Sequence, residues 1–224
     1  MNDLHIAIFS RAPVPGAAKT RLIPLLGEEG AASAQRRMAW RTLQTARAVP
    51  GASVSLWCAG DIHHPFLREC ASHFKVPCLP QADGDLGLRM AHCLQAVLAM
   101  HRKALLIGTD CPAFDVAALA AASLALDAAR MVFTPAEDGG YVLVGARHGG
   151  LASCCFSDVA WSTAQVMAQT RERLREAGWQ SGKDWLEMPA LWDVDTPADY
   201  LRARPLLESG DENTGPASPA RYLP

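Results

Sequence analysis

Residues 104–112 read A-L-L-I-G-T-D-C-P, and this stretch decides the fold. Ala104 to Gly108 offers no polar position, so it lacks the alternation of a half-exposed strand. An unbroken apolar run of this length marks a strand covered on both faces, as in a parallel sheet. It ends at Thr109-Asp110, which sets a carboxylate directly after a buried strand, and Pro112 fixes the turn that follows.

Outward from this strand, the chain alternates. Upstream, the Gly/Asp loop Q-A-D-G-D-L-G precedes a helix from about Leu88 to His101. Downstream, Asp115 reads as the N-cap of an alanine-rich helix to Ala128. His5 to Phe9 is a short strand, followed by S-R-A-P-V-P-G-A-A-K-T-R-L, whose prolines forbid a regular helix across Pro13 to Pro15. Gly27 and the acidic pair Glu28, Glu29 open a long helix to about Ala48. Ser53–Cys58 is a strand, His63–Phe74 a helix, and Val76–Leu79 a short strand between prolines. M-V-F-T-P and Y-V-L-V-G-A are strands joined through A-E-D-G-G. Thr163 to Ala177 is an amphipathic helix, W-L-E-M-P a last short strand, and the final helix starts at Pro197. This alternation predicts an α/β fold with a mostly parallel central sheet and helices on both faces. One domain over residues 1–207 is expected. The Ser-, Gly-, Pro- and acid-rich stretch 208–224 reads as a flexible tail.

The 224 residues carry a formal net charge of -2, are 50% hydrophobic and 20% charged. That is apolar enough for a real core and lacks the basic excess of a sequence-independent nucleic-acid binder. No apolar run reaches the roughly 20 residues of a membrane span. M-N-D-L-H-I-A-I-F-S does not read as a signal peptide. A soluble, cytoplasmic protein is expected. The seven cysteines form no C-x-x-C pair, so neither zinc ligation nor a disulfide framework is expected. They read as buried, reduced thiols. His63, His64 and His73 read as ordinary residues of a surface helix.

In an open α/β sheet, ligands bind beyond the carboxyl ends of the strands. Four polar segments fall there. Ser10 to Arg21 carries Arg11, Lys19 and Arg21 around Gly16, a set suited to gathering a polyphosphate, though it is neither a Walker A loop nor G-x-G-x-x-G. Asp110 suits a divalent cation, which needs few carboxylates and otherwise takes water and phosphate oxygens. Taken alone, Asp110 also fits an ordinary turn aspartate. Asp193 and Asp195, two apart after the last strand, supply further carboxylates. Asp195 or Thr196 equally suits capping of the helix at Pro197, and Asp199 reads as a first-turn acid. Glu137-Asp138-Gly139-Gly140 reads either as a hairpin turn or as an acceptor contact with a base. Arg89 suits a phosphate, a nucleotide base or plain exposure. Trp161 and Ser162 suit a core or rim aromatic and a helix cap. No G-x-S-x-G elbow is present.

In this order, F-S-R-A-P-V-P-G-A-A-K-T-R-L, D-G-D-L-G-L-R-M, I-G-T-D-C-P, P-A-E-D-G-G-Y-V-L-V-G and D-V-D-T-P-A-D resemble an uncharacterised transferase family. Its members are glycosyltransferase-A-like, or radical-SAM/selenodomain-associated, and the resemblance covers about residues 5–203. That family looks like part of the nucleotide-diphospho-sugar transferase superfamily, beside the molybdenum-cofactor nucleotidyltransferases and phospholactate guanylyltransferases. The resemblance implies a Rossmann-like glycosyltransferase-A fold and Mg2+ or Mn2+ as cofactor. It implies a nucleotide and phosphate loop of Ser10, Arg11, Gly16, Lys19 and Arg21, with Lys19 and Arg11 catalytic. Gly84, Leu86, Gly87 and Arg89 would lie near the nucleotide. Asp110, Asp195 and Asp193 would hold the metal. Asp138, Gly139 and Gly140 would face the acceptor, with Asp138 catalytic.

The chain departs from sugar-nucleotide pyrophosphorylases in lacking G-G-x-G-T-R-M, and T-D-C-P stands where glycosyltransferases carry D-x-D. The second departure favours nucleotidyl transfer from a nucleoside triphosphate to a small phosphorylated or hydroxyl acceptor. Glycosyl transfer from a sugar nucleotide and a non-catalytic nucleotide-binding module are the alternatives.

Overall fold

The computed structural model describes residues 3–208. The chain runs β1 (Leu4–Arg11), a 3-10 turn over Thr20–Leu22, α1 (Ile23–Arg47), β2 (Ala52–Ala59), α2 (Pro65–Phe74), β3 (Cys78–Pro80) and α3 (Leu86–Leu98). It continues through β4 (Lys103–Gly108), α4 (Val116–Ala128), β5 (Met131–Pro135), β6 (Tyr141–Arg147) and a 3-10 turn over Ser153–Phe156. The last elements are α5 (Val166–Glu176), β7 (Trp185–Glu187) and α6 (Pro197–Glu208).

The seven strands form one sheet in the order β3-β2-β1-β4-β6-β5-β7. Every pairing is parallel except those of β6, which runs antiparallel to both β4 and β5. This is the mostly parallel α/β sheet that the sequence predicts. Strand β4 is central, and its uniform apolarity follows from burial on both faces. Leu105 and Ile107 enter the core under α1, α2 and α4, beside Ile6, Leu43, Phe66 and Leu119. Ala104 and Leu106 face the opposite core, with Leu94 of α3, Leu174 of α5 and Trp185. A smaller core joins Leu22, Met38, Val194 and Leu207, and so docks α6 against α1.

Local chemistry sets the helix starts. Asp115 Oδ1 accepts the Ala118 N–H at 2.7 Å, the N-cap expected of it. Asp85 caps α3 in the same way, and the helix therefore starts at Leu86, two residues before the sequence expectation. Gly27 adopts φ 71, ψ 172 inside α1, which separates an initial turn from the long helix beginning at Glu28. Helix α5 starts at Val166, not Thr163, because residues 161–165 form turns and Ser162 takes a left-handed φ of 64. His64, read as an ordinary helix residue, is the cap of α2: its Nδ1 accepts the Phe66 N–H. Helix α6 extends through Glu208, the first residue assigned to the tail, and residues 209–224 of that tail lie outside the described residues. No helix among the described residues is long and apolar enough to cross a membrane.

Candidate functional site

Of the six mutually parallel strands, β1, β4, β5 and β7 precede the candidate segments, and all four end on the same edge of the sheet. In register, Phe9 lies beside Gly108 and Arg11 beside Ala59, so the segments that follow emerge together. An open cleft of about 690 Å³ lies along that edge. This size falls within the range of small-molecule sites.

Lys19 anchors one wall. Its backbone takes a left-handed conformation, φ 47 and ψ 48, just before the 3-10 turn, and this aims the side chain across the cleft. Its Nζ donates to the Val194 carbonyl at 2.6 Å and lies 3.0 Å from Asp110 Oδ2 and 3.3 Å from Asp195 Oδ1. Burial pulls the lysine pKa down, but the two carboxylates more than offset it, and the net shift is upward. Lys19 is thus a fixed cation, with a side chain only 9% exposed. Arg21, much more exposed, reaches Asp195 Oδ2 at 3.0 Å. The Val194 N–H donates to the Asp110 carbonyl at 2.8 Å, which ties the end of β4 to the segment after β7. Gln35, buried on α1, donates to Thr109 Oγ1 at 3.0 Å and steadies the residue before Asp110.

Asp138 belongs to the same cluster. Carboxylate oxygens of Asp138, Asp193 and Asp195 lie within 4.8 Å of one another. The β5–β6 hairpin tip is stitched to the later segment: the Glu137 N–H donates to the Leu191 carbonyl, and the Leu191 N–H to the Pro135 carbonyl. The Gly140 N–H donates to Asp138 Oδ1 at 2.9 Å. Asp199 accepts from the backbone N–H groups of Asp195 and Thr196 and from the Thr196 hydroxyl, so it shapes the turn carrying Asp195. Burial, then the neighbouring charges of Asp138 and Asp195, raise the Asp193 pKa to about 6. Acids crowded in this way favour a cation. A donor set made wholly of carboxylate oxygens is the chemistry of a hard divalent ion. Asp138, Asp193 and Asp195 fit such an ion, with Asp110 adjacent through Lys19.

The other expected residues divide. Ser10, Arg11 and Arg89 line the cleft; Arg89 Nε donates to the Gly84 carbonyl. Gly16, Gly84, Gly87 and Gly139 do not line it. Gly16, at φ 76, faces the Glu28 carboxylate. Gly87 is a packing position: a Cβ there would strike the Phe156 carbonyl and lie 2.6 Å from Trp161 Cζ2. Gly139, at φ 93, packs on the Ala164 carbonyl. The sequence reading did not single out Gln35, Gln81 or Tyr141, which also line the cleft. Gln81 follows β3 and so shared the strand-end position of the loops that were selected. Gln35 lies within a helix and gave no such signal.

Residues 42–163, more than half of the chain, match the model of a family described as uncharacterized proteins conserved in bacteria, DUF2064. The chain belongs to the DUF2064 family. The DUF2064 match spans Arg89, Asp110 and Asp138, while Lys19, Arg21, Asp193 and Asp195 lie outside it. Comparison with curated proteins gives no significant match. Among solved structures, the chain is similar to a Desulfovibrio desulfuricans G20 protein provisionally named a nucleotide-diphospho-sugar transferase. The identity is 26%, the TM-score 0.79, and coverage is 93% of this chain and 98% of that one. It also shares its fold with a nucleotidyl transferase from Methanothermobacter thermautotroptrophicus, at 15% identity and TM-score 0.62, covering 94% of this chain and 100% of that one. The 4-diphosphocytidyl-2C-methyl-D-erythritol synthase of Anaerococcus prevotii DSM 20548 is similar at 12% identity and TM-score 0.62, covering 92% and 97%. The DUF2064 chain thus has the α/β fold of nucleotide-diphospho-sugar transferases and cytidylyltransferases.

Proposed function

We propose that the chain is a nucleotidyltransferase that moves a nucleotidyl group from a nucleoside triphosphate to a small phosphorylated or hydroxyl acceptor. The observation that carries this reading is the cationic loop of Lys19 and Arg21 set against Asp110, Asp138, Asp193 and Asp195 in one cleft. Arg11, Lys19 and Arg21 gather the phosphates, and Lys19 exchanges its carboxylate partners for phosphate oxygens as they arrive. Ser10 and Arg89 line the nucleotide's path. An acceptor oxygen attacks the α-phosphorus, the bond to the bridging oxygen of the β-phosphate breaks, and pyrophosphate leaves. No covalent nucleophile is needed, because positioning and charge neutralisation supply most of the rate. Asp138 keeps one oxygen for the acceptor hydroxyl or the cation, while Gly140 holds the other. Asp193 and Asp195, with Asp138 and Asp110 beside them, hold Mg2+ or Mn2+, which when bound neutralises phosphate charge and polarises the phosphoryl oxygens.

The order of the motifs also supports kinship with the molybdenum-cofactor nucleotidyltransferases and phospholactate guanylyltransferases, within the radical-SAM/selenodomain-associated group. A single domain over residues 1–207, working in the cytoplasm on small molecules and not on nucleic acid, completes this reading. Glycosyl transfer is the second reading. It is favoured by the name of the Desulfovibrio desulfuricans protein, which is 26% identical.

The test is thermal unfolding with each nucleoside triphosphate and with UDP- and GDP-sugars, with and without Mg2+ or Mn2+. A ligand at about 100 times its Kd adds roughly 2.7 kcal/mol, an easily read shift. Metal-dependent stabilisation by one triphosphate, followed by pyrophosphate release with an acceptor, is expected. Stabilisation by sugar nucleotides alone, with release of a nucleoside diphosphate, would replace the first reading by the second.

A further inference from the structure

Five of the seven cysteines are buried, and Cys78 and Cys154 are partly exposed. Two of the seven touch. Cys58, on β2, and Cys78, on the edge strand β3, bring their Sγ atoms to 3.4 Å, within hydrogen-bond distance for thiols. The contact crosses the strand pair diagonally, because Cys78 pairs with Leu56 and Cys58 with Pro80. Residues two apart on a strand share a face, so both thiols lie on the same side of the sheet. Their environments differ. Cys58 is almost fully buried, while Cys78 is only partly covered. The hydrogen bond to Cys78, with burial, pushes the Cys58 thiol up, and the same bond holds Cys78 below the ordinary thiol value. This is the asymmetry of an attacking thiol and a resolving one. The more accessible sulfur carries the thiolate character, and the protected one is poised against it.

We propose that Cys58 and Cys78 form a peroxide-oxidisable dithiol, a modification site separate from the acidic cleft. The Cys78 thiolate attacks a peroxide oxygen, the S–O bond forms as O–O breaks, and the displaced hydroxide takes a proton to leave as water. Cys58 then attacks the Cys78 sulfur; S–S forms, S–O breaks, and the Cys58 proton departs with the hydroxide as a second water. Two thiols are oxidised to a disulfide and one hydrogen peroxide is reduced to two waters. The sulfurs must close from 3.4 Å to about 2.05 Å. Strand β3, three residues long and at the edge of the sheet among the described residues, can shift toward β2 to close that gap. Cys78 is partly exposed, so a bridge there is open to reductant, which suits a reversible modification. Gln81, one residue past β3, donates from its backbone to the Cys58 carbonyl and from its side chain to the Trp57 carbonyl, and it lines the cleft. Oxidation at this pair therefore pulls on a wall of the site.

The test uses the folded full-length chain, reduced, freed of reductant and treated with hydrogen peroxide at pH 7. It is then alkylated and digested without reduction; trypsin cuts between the two cysteines at Arg68 and Lys75. The expected product is one peptide pair linked through Cys58 and Cys78, lost on treatment with dithiothreitol. Before oxidation, Cys78 should alkylate at least about tenfold faster than Cys154, the other partly exposed thiol. In Cys58→Ser, which keeps a hydroxyl donor, Cys78 should stop at a sulfenic acid that dimedone captures; in Cys78→Ser, Cys58 should stay free. Bridges scattered among the seven cysteines, both thiols remaining free while Cys154 oxidises, or equal alkylation of Cys78 and Cys154 would each overturn the assignment. The wild-type measurements decide the question even if a variant fails to fold.

Discussion

Replacing Lys19 by methionine keeps an unbranched, flexible stem, one atom shorter, and removes the charge. The substitution leaves Asp110 and Asp195 without the cation that lies 3.0 and 3.3 Å from them, and leaves the Val194 carbonyl without its donor. Breaking a fully buried ion pair costs about 3–5 kcal/mol, and an exposed pair contributes about 0–1 kcal/mol. This pair lies between those limits: the lysine side chain is 9% exposed, and the two carboxylates are 44% and 42% exposed. A loss of about 2 kcal/mol follows, with the carbonyl's missing partner inside that figure. Urea unfolding in EDTA at pH 7 measures it for the wild type, Lys19→Met, Asp110→Asn and the double variant. The double variant should cost about 1 kcal/mol less than the sum of the singles, because Asp110→Asn already removes one uncompensated charge. Magnesium should stabilise Lys19→Met more than the wild type, since a cation then fills the empty charge position. A Lys19→Met protein within 0.5 kcal/mol of wild type, or strict additivity in the double variant, would refute the view that Lys19 balances these acids.

Lys19→Ala should lower nucleotidyl-transfer turnover by about two or more orders of magnitude without unfolding the chain, as steady-state kinetics beside circular dichroism would show. Mn2+ binding, followed by electron paramagnetic resonance, should weaken about tenfold from pH 7 to pH 5, because Asp193, raised to about 6, is mostly protonated at the lower pH; Asp193→Asn should bind weakly at both pH values. His5 sits between the Ser53 and Ser55 hydroxyls, and burial and then His101 lower its pKa to about 4. The unfolded chain therefore binds a proton that the native chain refuses as pH falls below 6.5. The stability contributed by neutral His5 should drop by about 2 kcal/mol from pH 7 to pH 5, and urea titrations of His5→Gln should lack that part of the slope. Gly87→Ala should destabilise by about 2–3 kcal/mol, with cleft ligands still bound by the folded fraction, because the added methyl meets the Phe156 carbonyl and the Trp161 ring.

The strands and most helix limits were legible because they rest on local signals. The uniform apolarity of Ala104–Gly108, the Asp115 cap and the Gly27 break each act within a few residues, and the structure carries all three. The strand-end rule also selected Asp110, Asp138, Asp193 and Asp195 as separate candidates. What the sequence did not show was that Asp138 joins Asp193 and Asp195. That meeting depends on β6 inserting antiparallel between β4 and β5, and on Leu191 pairing beside Pro135 and Glu137; neither leaves a local trace. The pairing of Lys19 with Asp110 and Asp195 was equally hidden, since it joins residues more than 90 and 170 positions apart. The resemblance set Gly87 near the nucleotide and Gly139 toward the acceptor, but the atoms that crowd them are those of Phe156, Trp161 and Ala164 of this chain.

The cleft draws on residues 19, 110, 138, 193 and 195, and β7 and α6 reach it last in chain order. On the ribosome, a chain that has emerged only as far as β6 already contains the central strands, the cationic loop and Asp138. It still lacks two of the four carboxylates and the Val194 carbonyl that receives Lys19. The charge balance of the site is therefore completed only when the last part of the described chain docks against β5 and α1. A chain ending after β6 lacks Asp193 and Asp195 and also Leu174 and Trp185 of the second core, so the acidic centre and the packing of that sheet face are completed by the same late segment.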